Sequence, residues 1–188
     1  MIGLQHSKAA CRAAQRPNAA LSRIVLGALV TLAVALAWAS SARANTEMRK
    51  EIQCLALNIY HEARGEPELG RQAVGHVVLN RVADARFPGS VCDVVQQGGE
   101  ERRLRCQFTW WCDGRSDKPE DLQAWERSKA MARSVFWGFL DDPTDGSLWY
   151  HANYVKPAWR KRLVKAARIG SHLFYNGAPS AKVQASAR

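Results

Sequence analysis

The sequence predicts a mainly α-helical single domain with a small β part, an α+β fold, for three reasons. Apolar residues recur every three or four positions over several long stretches, as they do on one face of an amphipathic helix. No internal repeat, low-complexity linker or second domain boundary interrupts the chain. The 188 residues suffice for one domain with a proper hydrophobic core.

The N-terminal segment predicts a signal peptide. Four basic residues and no acidic one precede an unbroken apolar run from Ile24 to Trp38, and Ala42-Arg43-Ala44 then forms an A-x-A cleavage pattern. The apolar run is shorter than the ~20 residues that a membrane span needs, so cleavage after Ala44 is favoured over an uncleaved anchor. We therefore expect a signal peptide over residues 1–44, a folded domain over 45–176 and a flexible tail over 177–188, exported to the periplasm or cell wall.

The charge balance is modest once the predicted leader is removed. The whole chain has 27 basic and 17 acidic residues, and the leader takes five of the basic ones, which leaves 22 against 17, or +5. Such an excess suits a protein that acts on an anionic polymer or surface. It does not require nucleic acid as a partner.

Four cysteines follow the leader, and an even number in an oxidising compartment predicts two disulfides. Three pairings are possible. We favour Cys106 with Cys112, which closes a short loop, and Cys54 with Cys92, which ties a helix to a distant loop. A zinc site is the alternative, but no two of these cysteines form a C-x-x-C pair.

Helical spacing predicts two helices before residue 85. The first runs from about Met48 to Ala63, and Gly65 is a natural stop for it. Pro67 suits the first turn of the second helix, which ends near Asp84. The first helix carries apolar residues along one face at Met48, Ile52, Leu55, Ile59 and Ala63.

The second half mixes helical and irregular patterns. Residues 91–115 contain two adjacent glycines, a charge run and three cysteines, so we expect loops and short strands there. A third helix begins at Pro119, LWYHANYV (148–155) is extended, and a last, basic helix runs from Pro157 to about Phe174. The third helix is expected to bury Leu122, Trp125, Ala132, Phe136 and Phe139.

The segment HEARGE, residues 61–66, raises the question of a metal site. A zinc helix of the H-E-x-x-H type needs a second histidine one turn after the first, and Gly65 occupies that position. His76, His151 and His172 are scattered along the chain. The sequence therefore predicts neither a metal site nor a cofactor.

Glu62 is the candidate catalytic acid. It lies three positions after Ile59 and seven after Leu55, in line with the apolar face. A carboxyl held among apolar groups at a helix C-terminus has a raised pKa. It then stays protonated near neutral pH, ready to donate to a leaving oxygen. Arg64 would oppose this by pairing with Glu62, but residues two apart on a helix do not face each other.

Glu66 has a different setting from Glu62. It stands between Gly65 and Pro67 at the start of the second helix, where a negative side chain is favourable on structural grounds. A structural role is therefore favoured, and a catalytic or binding role is the alternative.

Six blocks resemble the spore cortex-lytic type of cell wall hydrolase. In chain order they are CLALNIYHEARGE, VVLNRV, FPGSVCDVV, CQFTWWCDG, WYHANYVKPAW and RIGSHLFY, spanning roughly Ile52 to Tyr175. The resemblance implies a lysozyme-like, transglycosylase-like catalytic domain acting on peptidoglycan glycan strands, and it assigns the catalytic role to Glu62. Two positions depart from the family. Thr109 replaces a common Ser, and Asn153 replaces a common Asp, which removes one possible second carboxylate.

The resulting hypothesis is a lytic transglycosylase that cuts the β-1,4 bond between N-acetylmuramic acid and N-acetylglucosamine with Glu62 alone. A hydrolysing muramidase would need a second carboxylate, for which Glu66, Asp93 and Asp113 are candidates. An amidase and a noncatalytic wall-binding protein are further alternatives. The expected partner is the glycan strand, without nucleic acid and without stable membrane insertion after leader cleavage.

Two clusters are expected to bind the substrate. One lies between Cys106 and Cys112, where a disulfide would hold the loop rigid, and the other lies around residue 150. Aromatic rings suit the apolar faces of sugars, and polar groups suit their substituents. For any single aromatic, packing in the core is the alternative, and Trp125 and Phe136 are assigned to the core. The predicted binding residues are Glu66, Gln107, Phe108, Thr109, Tyr150, His151, Asn153 and Tyr154.

Overall fold

The structure, a computed structural model, describes residues 19–98 and 106–177, with side chains from residue 37 onward. The chain divides into two compact units, Met1–Asn45 and Thr46–Arg188. Most of the predicted signal peptide and residues 178–188 of the predicted tail lie outside the fully described residues, so leader, cleavage site and tail stay predictions. Within the described residues, no helix is long and apolar enough to cross a membrane.

The first two helices end where the sequence predicts. Helix α1 (Ala19–Ala63) begins well before the predicted Met48, because the preceding segment is rich in alanine and leucine, which are strong helix formers. Helix α2 (Glu68–Ala83) follows Pro67, which precedes the first helical residue instead of occupying the first turn. Together they contribute Leu55, Ile59, Val74, Val77 and Val78 to the fully buried core.

The region predicted as loops and short strands contains a short helix instead. Helix α3 (Val91–Val95) begins after Ser90, whose hydroxyl accepts a hydrogen bond from the backbone N–H of Asp93 at 3.1 Å. Four of its five residues are buried, so it lacks the polar face that makes a helix visible in a sequence. A 3-10 helix follows at Thr109–Cys112. Among the described residues of this region, the β structure consists of an isolated bridge between Gly98 and Cys106.

Helix α4 (Leu122–Phe136) begins three residues later than predicted. Asp121 caps it, because its carboxylate accepts a hydrogen bond from the N–H of Ala124 at 2.9 Å. The predicted apolar face is partly wrong: Leu122 is 71% exposed, and Phe139 lies beyond the helix and is 76% exposed. The buried face consists of Ala124, Ser128, Met131, Ala132 and Val135.

The predicted last helix is wrong, because residues 164–176 form a β-hairpin. The extended segment is confirmed as β1 (Trp149–Ala152), and β2 (Val164–Ile169) and β3 (His172–Asn176) complete an antiparallel sheet in the order β1-β3-β2. Only the 3-10 helix Ala158–Arg162 is helical in that stretch. The deciding signal is the turn at Gly170, whose φ of +57° favours glycine.

The core consists of one large cluster and one small one. The large cluster joins α1, α2, α3 and α4, and the small cluster packs Ile169 and Phe174 of the sheet against Ala73 and Val77 of α2. Both favoured disulfides are present, with Cys54 bound to Cys92 and Cys106 bound to Cys112. The first joins α1 to α3, and the second closes the loop that leads into the 3-10 helix. The domain is thus mainly α-helical with a three-stranded sheet, as predicted.

Candidate active site

Glu62 lies in the last turn of α1 and points toward the sheet. Its side chain is half-buried, and its Oε2 accepts a hydrogen bond of 3.0 Å from the hydroxyl of Tyr150. Burial raises the pKa of Glu62, and this effect outweighs the lowering by the Tyr150 hydroxyl and the positive charge of Arg81. The predicted inward position and raised pKa are therefore confirmed. Arg64 lies over the ring of Tyr60, 5.2 Å from its centroid, and does not act on Glu62.

Tyr150 is the hydrogen-bonding partner of Glu62 and comes from β1. Its ring packs against His172 and Phe174 of β3, with centroid separations of 5.2 and 5.6 Å. Burial raises the pKa of Tyr150 well above its ordinary value, and the neighbouring Glu62 charge adds to the increase. The phenol therefore stays protonated and can donate to Glu62 throughout the neutral range.

Arg81 is a site residue that the sequence analysis missed. It projects from α2, is only 2% exposed, and donates from Nε to the carbonyl oxygen of Leu148 at 2.8 Å. Its guanidinium lies over the rings of Phe87 and Phe108, 5.4 and 5.3 Å from their centroids. Burial lowers the pKa of Arg81, while Tyr150 and Glu62 raise it, and an arginine keeps its charge under such opposing effects.

A signal for Arg81 is present in the sequence. It lies three positions after Val78, four after Val77 and seven after Val74, so it continues the buried face of α2. An arginine in line with an apolar face needs a partner inside the protein, because a buried charge is costly when it is unpaired. The same test that selected Glu62 on the first helix would have selected Arg81 on the second.

The second glutamate, Glu66, holds the turn between β2 and β3. One carboxylate oxygen accepts the backbone N–H of Ser171 at 2.9 Å, the other accepts the Ser171 hydroxyl, and His172 Nδ1 is 3.8 Å away. Burial would raise the pKa of Glu66, but the two Ser171 hydrogen bonds, aided by His172, lower it below its ordinary value. The carboxylate hydrogen-bonds Ser171 and also packs against Gly70 in the first turn of α2, where an added Cβ would lie 3.1 Å from its Oε2. A structural role is supported, and the substrate-binding role stays a prediction.

Among the described residues, the other two candidate carboxylates make no hydrogen bond to Glu62 or Tyr150, although Asp113 lines a cleft together with Tyr60 and His61. Asp93 is exposed on α3, and Asp113 accepts a hydrogen bond from the N–H of Arg115 at 2.8 Å. Glu62 is thus the carboxylate that acts on both Tyr150 and Arg81.

The disulfide-closed loop has one residue at the site. With its amide oxygen turned toward Arg81, Gln107 accepts hydrogen bonds from both terminal guanidinium nitrogens at 3.2 Å. Phe108 is 3% exposed beneath the same guanidinium, which places it in the core and not on a surface that a sugar contacts. Thr109 is exposed at the start of the 3-10 helix.

The cluster around residue 150 is divided between two faces of the sheet. His151 is buried and turned away from Tyr150, with Nε2 3.0 Å from the hydroxyl of Tyr175 and its ring stacked on that tyrosine. Asn153 is exposed, and its N–H donates to the Ser171 carbonyl at 2.7 Å. Tyr154 is 81% exposed. Of this cluster, the structure brings only Tyr150 to Glu62.

A cleft of about 450 Å³ opens beside Tyr150. Its lining includes Arg81, Gln107 and Tyr150, which are described above. It also includes Trp149, Trp159 and Arg162, which the sequence analysis did not select. A second cleft, of about 330 Å³, is lined in part by Tyr60, His61 and Arg64, the chain neighbours of Glu62. Within the described residues, no group of three or more His, Cys, Asp and Glu side chains is suited to hold a metal ion.

Comparisons with known proteins identify relatives of this domain. A sequence profile of the cell wall hydrolase family matches residues 65–175. The spore cortex-lytic enzyme of Bacillus cereus is 34% identical over 131 residues, which are 69% of this chain and 46% of that protein. The enzyme of the same name from Bacillus subtilis is 30% identical over 127 residues, 66% of this chain and 37% of that protein. The chain thus spans less than half the length of these relatives.

Two solved structures resemble the fold. The catalytic domain of the Bacillus cereus SleB protein superimposes with a TM-score of 0.55 at 31% identity, covering 68% of this chain and 91% of that one. The catalytic domain of the germination-specific lytic transglycosylase SleB from Bacillus anthracis gives 0.53 at 31% identity, covering 67% and 93%. The predicted family resemblance and the predicted lysozyme-like, mostly helical fold are confirmed.

Proposed function

Since this chain belongs to the cell wall hydrolase family, we propose that its folded domain cleaves peptidoglycan glycan strands as a lytic transglycosylase. The observation that carries the proposal is the setting of Glu62. A half-buried carboxyl with a raised pKa accepts a hydrogen bond from Tyr150 and lies in the field of the buried Arg81. Such a group can both release a proton and take one back.

The first step uses Glu62 as a general acid. Its proton passes to the glycosidic oxygen between N-acetylmuramic acid and N-acetylglucosamine, and the bond from muramyl C1 to that oxygen breaks. The desolvated setting of Glu62 favours the protonated form before the reaction. The N-acetylglucosamine product leaves with a free 4-hydroxyl, and positive charge develops at the muramyl C1.

The second step uses the same residue as a base. The Glu62 carboxylate accepts the proton of the muramyl C6 hydroxyl while that oxygen bonds to C1, which gives a 1,6-anhydro ring and restores the acid. Between the steps the carboxylate is stabilised by the Tyr150 hydroxyl and the Arg81 charge, the two groups that lower the pKa of Glu62. One carboxyl suffices because the nucleophile belongs to the substrate.

The cleft next to Tyr150 supplies a binding surface for the strand. Trp149 and Trp159 line it and offer flat apolar faces, and Gln107 offers an amide. Peptidoglycan lies outside the cytoplasmic membrane, so the proposal includes export, for which the predicted leader over residues 1–44 is the signal. The proposed working location is the periplasm or the cell wall.

A hydrolysing muramidase is the nearest alternative. It uses a second carboxylate placed ~5–9.5 Å from the acid to act as nucleophile or to activate water. Of the three candidates, Glu66 uses both of its oxygens on Ser171, Asp93 is exposed on α3, and Asp113 lines the second cleft with Tyr60 and His61. Glu66 is therefore engaged elsewhere, and Asp113 is the carboxylate that the hydrolytic alternative would use.

The experiment that tests the reaction is mass spectrometry of the products released from purified sacculi by the purified protein. We expect muropeptides that end in 1,6-anhydro-N-acetylmuramic acid. Products ending in reducing N-acetylmuramic acid would show hydrolysis in place of transglycosylation. Released stem peptides without glycan cleavage would show an amidase, and intact sacculi that retain the protein would show a wall-binding protein.

A further inference from the structure

We propose that the cleft beside Tyr150 binds a carboxylate carried by the lactyl arm of a muramic acid residue, with Arg162 as its partner. The inference rests on the proposed function, because that function places a muramyl residue at Glu62. It adds a charge preference that glycan cleavage alone does not require. The carboxylate has two sources: the lactyl group itself in peptide-free strands, and the stem peptide in peptide-bearing ones.

The cleft carries uncompensated positive charge. Its lining contains two arginines and no carboxylate. Arg81 is held by Leu148, Gln107 and the nearby Glu62. Arg162 is exposed, and none of the ion pairs found among the described residues includes it. It is therefore the cation of this cleft that is available to a ligand.

The excess positive charge of the domain is concentrated in one segment. Residues 153–176 contain six basic residues and no acidic one, whereas the rest of residues 45–188 contains 16 basic and 17 acidic residues. The excess positive charge of the domain thus comes wholly from this segment. The six are Lys156, Arg160, Lys161, Arg162, Lys165 and Arg168, and Arg162 is the member that lines the cleft.

Arg162 shares the cleft with aromatic side chains. Trp149 and Trp159 line the same concave space, and the ring of Trp159 is fixed against Tyr175 at a centroid distance of 5.7 Å. A cation beside flat aromatic faces in a cleft matches a sugar acid, whose ring packs on the aromatic group while its carboxylate meets the guanidinium. A membrane surface or a nucleic acid would instead be met by a broad, open patch of cations.

The proposed substrate carries a carboxylate of the required kind. Muramic acid differs from glucosamine by a lactyl ether at C3, which ends in a carboxyl group or in the amide bond to the stem peptide. A muramyl residue whose C1 lies at Glu62 carries this arm on its own ring. Tyr150 hydrogen-bonds Glu62 and lines the cleft, whereas Glu62 itself does not line it, so the cleft lies one side chain away from the carboxyl that acts on the muramyl residue.

The test compares Arg162→Gln with Arg127→Gln, each made in the Glu62→Gln background so that strands are bound and not cut. Arg127 is exposed on α4, lines neither site cleft, and its replacement changes the net charge by the same amount. Binding is measured by fluorescence anisotropy with three labelled strands. These are peptide-bearing strands, strands stripped of peptide, and stripped strands whose lactyl carboxylates have been amidated.

We expect Arg162→Gln to weaken binding of carboxylate-bearing strands about two- to fivefold, the range for a partly exposed ion pair, and to leave amidated strands unaffected. Arg127→Gln is expected to change none of the three. A loss confined to peptide-bearing strands assigns the carboxylate to the peptide, and a loss on stripped strands assigns it to the lactyl group. An equal effect on amidated strands, or no effect on any strand, overturns the proposal.

Measuring the cleavage products of the parent protein separates the test of the carboxylate site from the test of the transglycosylase reaction. Anhydro products together with charge-independent binding would contradict the Arg162 assignment and leave the transglycosylase standing. Charge-dependent binding without any cleavage would contradict the transglycosylase and leave the carboxylate site standing. The Arg162→Gln variant is also tested for binding to vesicles of anionic phospholipid. If it loses vesicle binding but binds strands as well as the parent, the basic segment contacts a membrane surface and the proposal is overturned.

Discussion

The hydroxyl of Tyr150 donates a hydrogen bond of 3.0 Å to the carboxylate of Glu62 and so joins the end of α1 to the first strand of the sheet. The two residues are 88 positions apart in the chain. Arg81 of α2 acts electrostatically on both. Three elements therefore meet at one carboxyl, whose burial favours the proton and whose two polar neighbours favour its release.

Replacing Tyr150 by Phe should shift the pH profile of activity. The Tyr150 hydroxyl lowers the pKa of Glu62, so its removal raises that pKa and keeps the acid protonated to higher pH. The alkaline limb of kcat/KM should therefore move to higher pH, while the maximal rate falls about tenfold through loss of a hydrogen bond to a charged group. Tyr154→Phe, at a predicted binding residue that is 81% exposed, is the control for the pH dependence alone and should leave the alkaline limb where it is. An unmoved alkaline limb in Tyr150→Phe would argue against the hydrogen bond.

Replacing Arg81 by Met should lower both stability and activity. The change removes a buried charge, leaves the Leu148 carbonyl without its donor and takes away the cation that stabilises the Glu62 carboxylate. We expect the free energy of unfolding to fall by about 2–4 kcal/mol, measured by urea denaturation. Arg86→Met removes an exposed arginine that pairs with Asp84 and lies over the ring of Trp149, and it should cost under about 1 kcal/mol. Equal losses for the two variants would contradict the structural role of Arg81.

Replacing Glu66 by Gln should lower stability at neutral pH and not in acid. The folded-state pKa of Glu66 lies below its ordinary value of 4.5. Its contribution is therefore complete above that pH and is lost as the pH falls through the folded-state pKa. Thermal unfolding of parent and variant should differ most near pH 7 and converge at low pH. A difference that grows in acid would show that Glu66 is not held as a carboxylate by Ser171.

Replacing Gly170 by Ala should disturb the turn that Glu66 holds. Its φ is +57°, and an added Cβ would lie 1.9 Å from Oε2 of Glu66, so both the backbone and the carboxylate would have to move. We expect a loss of about 2–4 kcal/mol in the free energy of unfolding. Gly65→Ala is the matched control, since a Cβ there meets nothing within 4 Å, and it should change stability by under about 0.5 kcal/mol. Similar losses at the two positions would contradict the close packing of Glu66 against the turn.

The sequence predicts the structure correctly where a single hydrophobic periodicity determines which face of an element is buried. The apolar face of α1 places Glu62 inward, and the family resemblance selects the same residue. The sequence predicts a helix in place of the hairpin, because basic residues at three- and four-residue spacing between Arg160 and Arg168 imitate a helical face. Only the turn at Gly170, with Ala167 and Ile169 packed on one side of the strand, reveals the hairpin.

The rest of the site depends on contacts between distant segments. No local pattern tells that Tyr150 faces Glu62 while His151, one residue on, faces Tyr175, because that choice follows from strand register. Trp159 and Arg162 reach the cleft only because the chain makes a short 3-10 helix where a longer helix was predicted. Arg81 is the exception, since its place on the buried face of α2 was readable from spacing alone.

The measurement that tests the central claim most directly is the rate of sacculus degradation by the purified protein beside its Glu62→Gln variant, with folding of both checked by circular dichroism. Glutamine keeps the shape of the side chain and cannot exchange the proton. We expect the variant to be folded and to degrade sacculi about 10²- to 10⁴-fold more slowly, the contribution typical of a general acid–base group. A folded Glu62→Gln variant that degrades sacculi as fast as the parent would contradict the assignment of Glu62.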